Sequence, residues 1–292
     1  MTNRLLFPIL LLFSLLTANA QTEQRYFPYP EIPDELITLQ ERSDYLLDHF
    51  WDKCNLESAF SNKAEMATAF DHYCTFIPLG SREKAIASIT SLLKKLEKQP
   101  ADLVFVAQLA EKNFYSDSTN VVSDEAFLPF ATAVAINKKA DKANKLRFAR
   151  LANILRNNLE GETVNDLPYT TSDGRASSLA ADSATITLIY FNDPDCEDCR
   201  LARARLDANL TANKLIESGD LKIIAITPDE ATPEWVEAVK SYPEKWDVTA
   251  MPNAYDLLDI RHVPSFYILD NEHRIRYKNV GIDYIINLLS RI

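Results

Sequence analysis

Two cysteines, Cys196 and Cys199, are separated by two acidic residues. They shortly follow an apolar, β-branched run over 185–191, which predicts a buried strand, and they begin a predicted helix over 197–213. Two thiols on the first turn of a helix lie close enough to form a disulfide, and the helix N-terminus favours a thiolate over a thiol. Because the thiolate is the species that attacks disulfides, this arrangement predicts thiol–disulfide exchange through Cys196 and Cys199, with Cys196 as the more exposed nucleophile.

Two other interpretations of this pair are an inert structural disulfide and one half of a metal site. A zinc site would need two further ligands. The second half of the chain has no second pair of cysteines at this spacing, and its only histidines are His262 and His273. We therefore predict no metal and no cofactor.

Three acidic residues, Asp195, Glu197 and Asp198, flank Cys196. Their charges oppose ionisation of the thiol by an amount comparable with the opposite effect of the helix terminus, and Arg200 and Arg203 also favour ionisation, so the sequence does not assign the sign of the net effect. An anionic surrounding favours the reducing end of the redox scale, since it destabilises the thiolate released when the disulfide opens. We also expect these three side chains to lie where a substrate binds.

The elements around this motif predict two domains after residue 20. The chain from Asp34 to about residue 158 has apolar residues at helical spacing and reads as helix after helix. Beyond Gly161 the pattern changes to short β-rich runs that alternate with helices in the order β-α-β-α-β-β-α, preceded by a hairpin around Asp173-Gly174. We predict an all-helical domain over 21–160 and an α/β domain over 161–292. The predicted helices after the first are 62–77, 82–98, 101–116, 124–136 and 141–159.

The order of strand, C-x-x-C and helix, followed by Val263-Pro264 just before a strand, resembles the thioredoxin fold. It is similar in particular to the TlpA and ResA type of envelope thiol–disulfide oxidoreductases, over about residues 161–292. The resemblance implies an α/β domain with a central mixed sheet flanked by helices. It also implies that the peptide bond before Pro264 is cis and lies against the active-site cysteines, and that the Val263 backbone is offered to an extended substrate segment.

The chain departs from that family at three positions. Asp195 and Asp198 stand where the family commonly has Trp and Pro, and Tyr190 stands where many thioredoxins have a buried acid. The sequence therefore identifies no general base for the second thiol. The helical half resembles the uncharacterised domains that precede thioredoxin-like modules in Gram-negative envelope proteins.

The helical half has two cysteines of its own, Cys54 and Cys74, twenty positions apart near the end of the first predicted helix and late in the second. An antiparallel helix pair would bring them together, so we predict a structural disulfide. Two free buried thiols are the next alternative. A metal site with His49 and His72 is disfavoured, because positions two apart on a helix, such as His72 and Cys74, point in nearly opposite directions.

The N-terminus has the pattern of a secretory signal. Arg4 precedes an apolar run over 5–16, and Ala18-Asn19-Ala20 supplies a small-residue cleavage site. We predict cleavage after Ala20 and a periplasmic or secreted protein. A run of about 12 apolar residues is short of the roughly 20 that span a bilayer, so we expect no stable membrane span after cleavage.

The formal charge of −11 argues against nucleic acid as a partner, since nucleic-acid binders depend on clustered Lys and Arg. The expected partner is a protein or a small thiol or disulfide, together with an upstream electron donor. The sequence thus predicts an exported thiol–disulfide oxidoreductase that reduces or isomerises envelope protein disulfides. The alternative is a non-catalytic binding protein whose thioredoxin-like half is a scaffold with a static disulfide.

Overall fold

The computed structural model describes residues 27–116 and 122–291. The predicted signal segment, 1–20, lies outside the described residues. None of the helices in the described ranges is long and apolar enough to cross a membrane.

The first half of the described chain is helical, as predicted. The first helix begins at Leu39 rather than at Asp34, because Thr38 and Glu41 form a reciprocal capping box. Phe50, which follows that helix, packs its ring against Trp51 and Tyr73 at centroid distances of 4.8 and 5.4 Å. The helices are α1 (Leu39–His49), α2 (Leu56–Ala59), α3 (Lys63–Phe76), α4 (Arg82–Leu96), α5 (Pro100–Phe114), α6 (Asp124–Ile136) and α7 (Lys142–Arg156).

The predicted disulfide between Cys54 and Cys74 is wrong, because both residues are free thiols. Cys54 lies beyond the end of α1, and Cys74 lies within α3. Rings rather than sulfur atoms join these segments: the rings of Trp51 and Tyr73 are 5.2 Å apart. The cysteines contribute to the core as small apolar side chains, Cys74 being buried and Cys54 half-buried.

Burial makes the Cys54 thiol a weak acid. It raises the pKa of Cys54 from 9.0 to about 11, although the charge of Lys95 acts in the opposite direction. The thiolate fraction at pH 8 is then about 100-fold lower than that of an unperturbed thiol. We expect iodoacetamide to alkylate Cys54 in the native protein about 100-fold more slowly than it alkylates free cysteine at pH 8, with a rate that rises towards pH 11.

Unfolding in guanidinium without a reductant provides the control for this measurement. Both Cys54 and Cys74 should then react at the ordinary rate. A denatured, unreduced protein that takes up no label would show instead that the two sulfurs are bonded.

The second half is an α/β domain with a central mixed sheet, which confirms the predicted fold class. A short antiparallel hairpin precedes a five-stranded sheet in the order β5-β4-β3-β6-β7, in which β3, β4 and β5 are parallel and β6 and β7 are antiparallel to their neighbours. The strands are β1 (Pro168–Thr170), β2 (Ala176–Ser178), β3 (Ile186–Phe191), β4 (Leu221–Thr227), β5 (Asp247–Ala250), β6 (Ser265–Asp270) and β7 (Ile275–Val280). The helices are α8 (Glu197–Asp207), α9 (Leu210–Ser218), α10 (Pro233–Val239), α11 (Ala254–Leu257) and α12 (Ile282–Leu289).

Three features of this half differ from the prediction, one of them being the unpredicted four-residue helix α11. The single helix expected over 197–213 is divided into α8 and α9, because Asn209 leaves the helical conformation and caps the second helix. Strand β5 was not predicted, because it begins with a charged residue. Asp247 is buried there and accepts hydrogen bonds from Tyr169 and Arg175.

The strand register places three loops at one end of the sheet. Phe191 at the end of β3 pairs with Ser265 at the start of β6. Phe266 in turn pairs with Val280 at the end of β7. The segment after β3, the segment before β6 and the end of β7 therefore lie side by side, and the first of these carries Cys196.

Candidate active site

Cys196 and Cys199 form a disulfide at the start of α8, with their Cα atoms 5.2 Å apart. Cys196 is the N-cap residue, and its Sγ accepts a hydrogen bond from the Cys199 backbone N–H at 3.0 Å. Cys196 is partly exposed, whereas Cys199 is only 1% exposed. An attacking group from another molecule can therefore reach Cys196 but not Cys199.

The loop before β6 contains a cis peptide bond between Val263 and Pro264, as the resemblance implies. Val263 and Cys196 pack against the same hydrophobic cluster, which includes Cys199. The Ser265 hydroxyl donates a hydrogen bond to the carbonyl oxygen of His262 at 2.8 Å. Val263 therefore packs in the same hydrophobic cluster as the cysteine pair, and the hydrogen bond of Ser265 orders the loop around Pro264. We refer to residues 259–264 as the cis-proline loop.

The three predicted acidic side chains, Asp195, Glu197 and Asp198, are exposed around Cys196. They give the surface from which the disulfide is approached a negative charge. Their contact with a substrate stays a prediction.

Tyr190, which replaces the buried acid of many thioredoxins, lies directly beneath the pair. Its hydroxyl donates a hydrogen bond of 2.6 Å to the carbonyl oxygen of Cys199, and its ring stacks on Phe266 at 4.8 Å. Burial raises the pKa of Tyr190, so the hydroxyl stays protonated and neutral. The residue therefore anchors the backbone of the second cysteine and does not act as a carboxylate base.

Replacing Tyr190 with Phe removes this anchor and leaves the Cys199 carbonyl without that donor. We expect Tyr190→Phe to lower the free energy of unfolding by about 1 kcal/mol, measured by urea denaturation followed by tryptophan fluorescence. The control is Tyr255→Phe, which removes a hydroxyl from a side chain that is 45% exposed, and which should change stability by less than about 0.5 kcal/mol. Equal stabilities of the two variants would show that the hydrogen bond to Cys199 contributes nothing.

A buried cluster of charged side chains connects the cis-proline loop to the helical half. Asp259 and Arg261 belong to the loop, Lys278 to β7, and Asp124 is the first residue of α6. Arg261 pairs with both carboxylates, and Lys278 approaches Asp124 at 2.5 Å and Asp259 at 2.6 Å. The side chains of Arg261 and Lys278 are each 5% exposed, and that of Asp259 is 0% exposed. Two cations and two anions are thus enclosed together between the halves.

Tyr115, at the end of α5, adds a second contact from the helical half. Its hydroxyl donates a hydrogen bond to Asp259 at 2.7 Å, and the Arg261 guanidinium lies over its ring at 4.2 Å. Burial alone would raise the pKa of Asp259, but the charges of Lys278 and Arg261 outweigh it and hold this pKa below its usual value. Asp259 is therefore ionised at neutral pH.

Sequence reasoning missed this cluster. Its members are separated by up to 154 positions, from Asp124 to Lys278, and none of them lies in a motif. A weak signal was available, since Asp259 and Arg261 stand only a few positions before Val263-Pro264. Within the described ranges, no group of three or more His, Cys, Asp or Glu side chains is placed to hold a metal ion.

A comparison with protein-family models finds a match for the helical half of the chain. Residues 14–158 match the family model of a domain of unknown function, DUF5106. No curated protein matches the sequence.

Among three solved structures, one resembles most of the chain, and the two others resemble less than half of it. A thioredoxin-like protein from Bacteroides caccae is 21% identical, with a TM-score of 0.77 over 91% of this chain and 98% of that chain. A conserved protein of unknown function from Bacteroides fragilis is 30% identical over 44% of this chain and 98% of its own, with a TM-score of 0.42. The thioredoxin domain of a thiol-disulfide oxidoreductase from Bacteroides vulgatus is 20% identical over 45% of this chain and 96% of its own, with a TM-score of 0.40. The first of these similarities extends through both halves and shows a shared fold.

Proposed function

We propose that this chain, in which a helical DUF5106 domain precedes a thioredoxin-like domain, is a thiol–disulfide oxidoreductase acting through Cys196 and Cys199. One observation carries the proposal: a disulfide at the start of a helix joins a partly exposed cysteine to a buried one, at the end of the sheet that also carries a cis-proline loop. A static disulfide would gain nothing from exposing one of its two sulfurs. An exchange catalyst requires this asymmetry, because one sulfur attacks the client disulfide and the other resolves the mixed disulfide afterwards.

The reaction begins from the reduced pair. The Cys196 thiolate attacks one sulfur of a client disulfide, and the client's other sulfur leaves as a thiolate and takes up a proton. The Cys199 thiol then loses its proton and attacks Cys196 in the mixed disulfide, which releases the second client thiol. Two electrons and two protons pass to the client, and the protein is left with the Cys196–Cys199 disulfide. A dithiol donor returns the protein to its reduced form.

The second step gives the experiment that tests the proposal. Cys199→Ser cannot resolve the mixed disulfide, so we expect this variant to accumulate a covalent adduct with a disulfide-containing polypeptide such as insulin. Cys196→Ser, its matched control, should form none. Non-reducing electrophoresis and intact mass measure the adducts. If neither variant forms an adduct, the alternative function holds, that of a scaffold with a static disulfide.

We also propose that the protein is exported to the periplasm or secreted. The support is the basic, apolar and small-residue pattern of the first 20 residues, together with the use of a disulfide, which persists in oxidising compartments. The mass of the protein isolated from the cell envelope tests this, since a mature chain should begin at Gln21.

A further inference from the structure

A cavity of about 720 Å³ lies between the two halves. The helical half lines it with the starts of α4 and α6, including Arg82 and Glu125, and the thioredoxin-like half lines it with His262 and Asn279. A volume of this size lies within the range of about 300–1,000 Å³ that is common for ligand sites, and such sites are frequent at domain interfaces.

The cavity runs beside β7. It reaches the active-site end of the sheet at His262 and Asn279, whereas Gly161 and Glu162 hydrogen-bond to Ile275 at the other end of this strand. His262 is the residue before Val263, and Asn279 precedes Val280, which pairs with Phe266 at the start of β6. The same strand β6 pairs with the end of β3, from which the chain continues to Cys196. A polypeptide that contacts the loop at Val263 can therefore extend into the cavity while its disulfide lies at Cys196.

The walls of the cavity are held in place before anything binds. Arg261 and Lys278 line it, and both are fixed by the buried carboxylates of Asp124 and Asp259. A site whose walls are already ordered does not lose conformational entropy when it is occupied.

The charge at the rim of the cavity is negative. The lining cations Arg82, Arg261 and Lys278 are all paired with carboxylates. Glu160 and Glu162 also line the cavity, are exposed, and form no ion pair within the described part of the chain. Glu162 lies near Arg274, which is itself paired with Glu272. Two exposed carboxylates without a close ion-pair partner would attract a basic side chain.

We infer that this cavity binds the client: an extended polypeptide segment with basic side chains a few residues from its disulfide, for which the helical domain forms the second wall. The inference rests on the proposed function and specifies the substrate class of that site. The helical domain then contributes directly to substrate recognition.

The first test compares two peptides. Each has one cysteine, joined by a disulfide to the neutral thiol 2-hydroxyethanethiol, and carries either two Lys or two Glu residues a short distance from that cysteine. We expect the reduced protein to react about tenfold faster with the basic peptide at low ionic strength, with the ratio falling towards one in high salt.

Substitutions at the rim test whether the preference for the basic peptide arises in the cavity. Glu160→Gln with Glu162→Gln should lower the ratio at least about threefold. The control, Glu35→Gln with Glu97→Gln, removes the same charge from two exposed positions of the helical half that do not line the cavity, and it should keep the ratio. An undiminished preference in the rim variant, or equal rates for the two peptides, would overturn the inference.

A photo-crosslink tests the second wall directly. The Cys199→Ser protein is joined to the basic peptide carrying a benzophenone beyond its Lys residues, and is then irradiated. Labelled residues should fall at the starts of α4 and α6 as well as in the thioredoxin-like half. Labels confined to the thioredoxin-like half would exclude the helical domain from the site.

The proposed function and this inference fail in different ways. If the protein does not reduce the neutral disulfide of 2-hydroxyethanethiol, the proposed chemistry is wrong. The benzophenone peptide irradiated without a covalent link still reports whether the cavity binds a basic chain, and the absence of labels there would overturn the inference.

Discussion

Cys196→Ser is expected to abolish the reduction of insulin disulfides by dithiothreitol that the wild-type protein catalyses. The loss should be on the order of a thousandfold or more, down to the rate of dithiothreitol alone, because removal of a nucleophile removes most of the rate it produces. Cys196 is partly exposed and Cys199 is buried, so the proposed mechanism assigns the attack on the client to Cys196, which Cys199 cannot replace. The turbidity of precipitating insulin chains measures the rate.

A conservative change elsewhere controls for folding. Cys74→Ser changes a buried free thiol in the helical half and should leave the rate of insulin reduction within about twofold, provided that the variant is as folded as wild type by circular dichroism. Wild-type protein that is no faster than Cys196→Ser would establish the scaffold function instead.

Asp259→Asn is expected to destabilise the protein by about 3 kcal/mol at pH 7, because it leaves two buried cations with a single carboxylate. Arg261 and Lys278 are both 5% exposed, so water cannot replace the lost charge. The free energy of unfolding in urea measures the effect. The cost exceeds that of a surface pair because the cations must stay out of water without their partner.

The matched control is Asp256→Asn. Asp256 also pairs across the two halves, with Arg150 at 2.8 Å, but these side chains are 68% and 60% exposed. Exposed pairs contribute about 0–1 kcal/mol, so this variant should differ little from wild type. If both variants lost the same free energy of unfolding, burial of the cluster would not increase its contribution to stability.

The Asp259 variant should also change the response to acid. Because the folded-state pKa of Asp259 lies below its unfolded value of about 3.9, its charge stabilises the fold above that pH. This contribution disappears as the pH falls through the lowered folded-state pKa. The difference in stability between wild type and Asp259→Asn should therefore be large at pH 7 and shrink below about pH 4.

The candidate chemistry was readable from the sequence because it is local. Two cysteines three positions apart on the first turn of a helix are brought together by helix geometry alone, and the disulfide between Cys196 and Cys199 follows from that. The helices and most strands were predicted for the same reason, since hydrophobic periodicity is a property of consecutive residues. The cis bond at Pro264 came from the resemblance and from no local pattern.

Tertiary structure decided the rest, because it depends on contacts between distant residues. The packing of aromatic rings, which the spacing of Cys54 and Cys74 does not reveal, left these two thiols unbonded. The sequence likewise determined that a cysteine pair follows a strand and begins a helix, but gave no indication that Asp124 of the helical half pairs with Arg261 of the cis-proline loop. Two distant charged side chains pair only when the chain has folded, and this pairing joins the helical domain to the cis-proline loop.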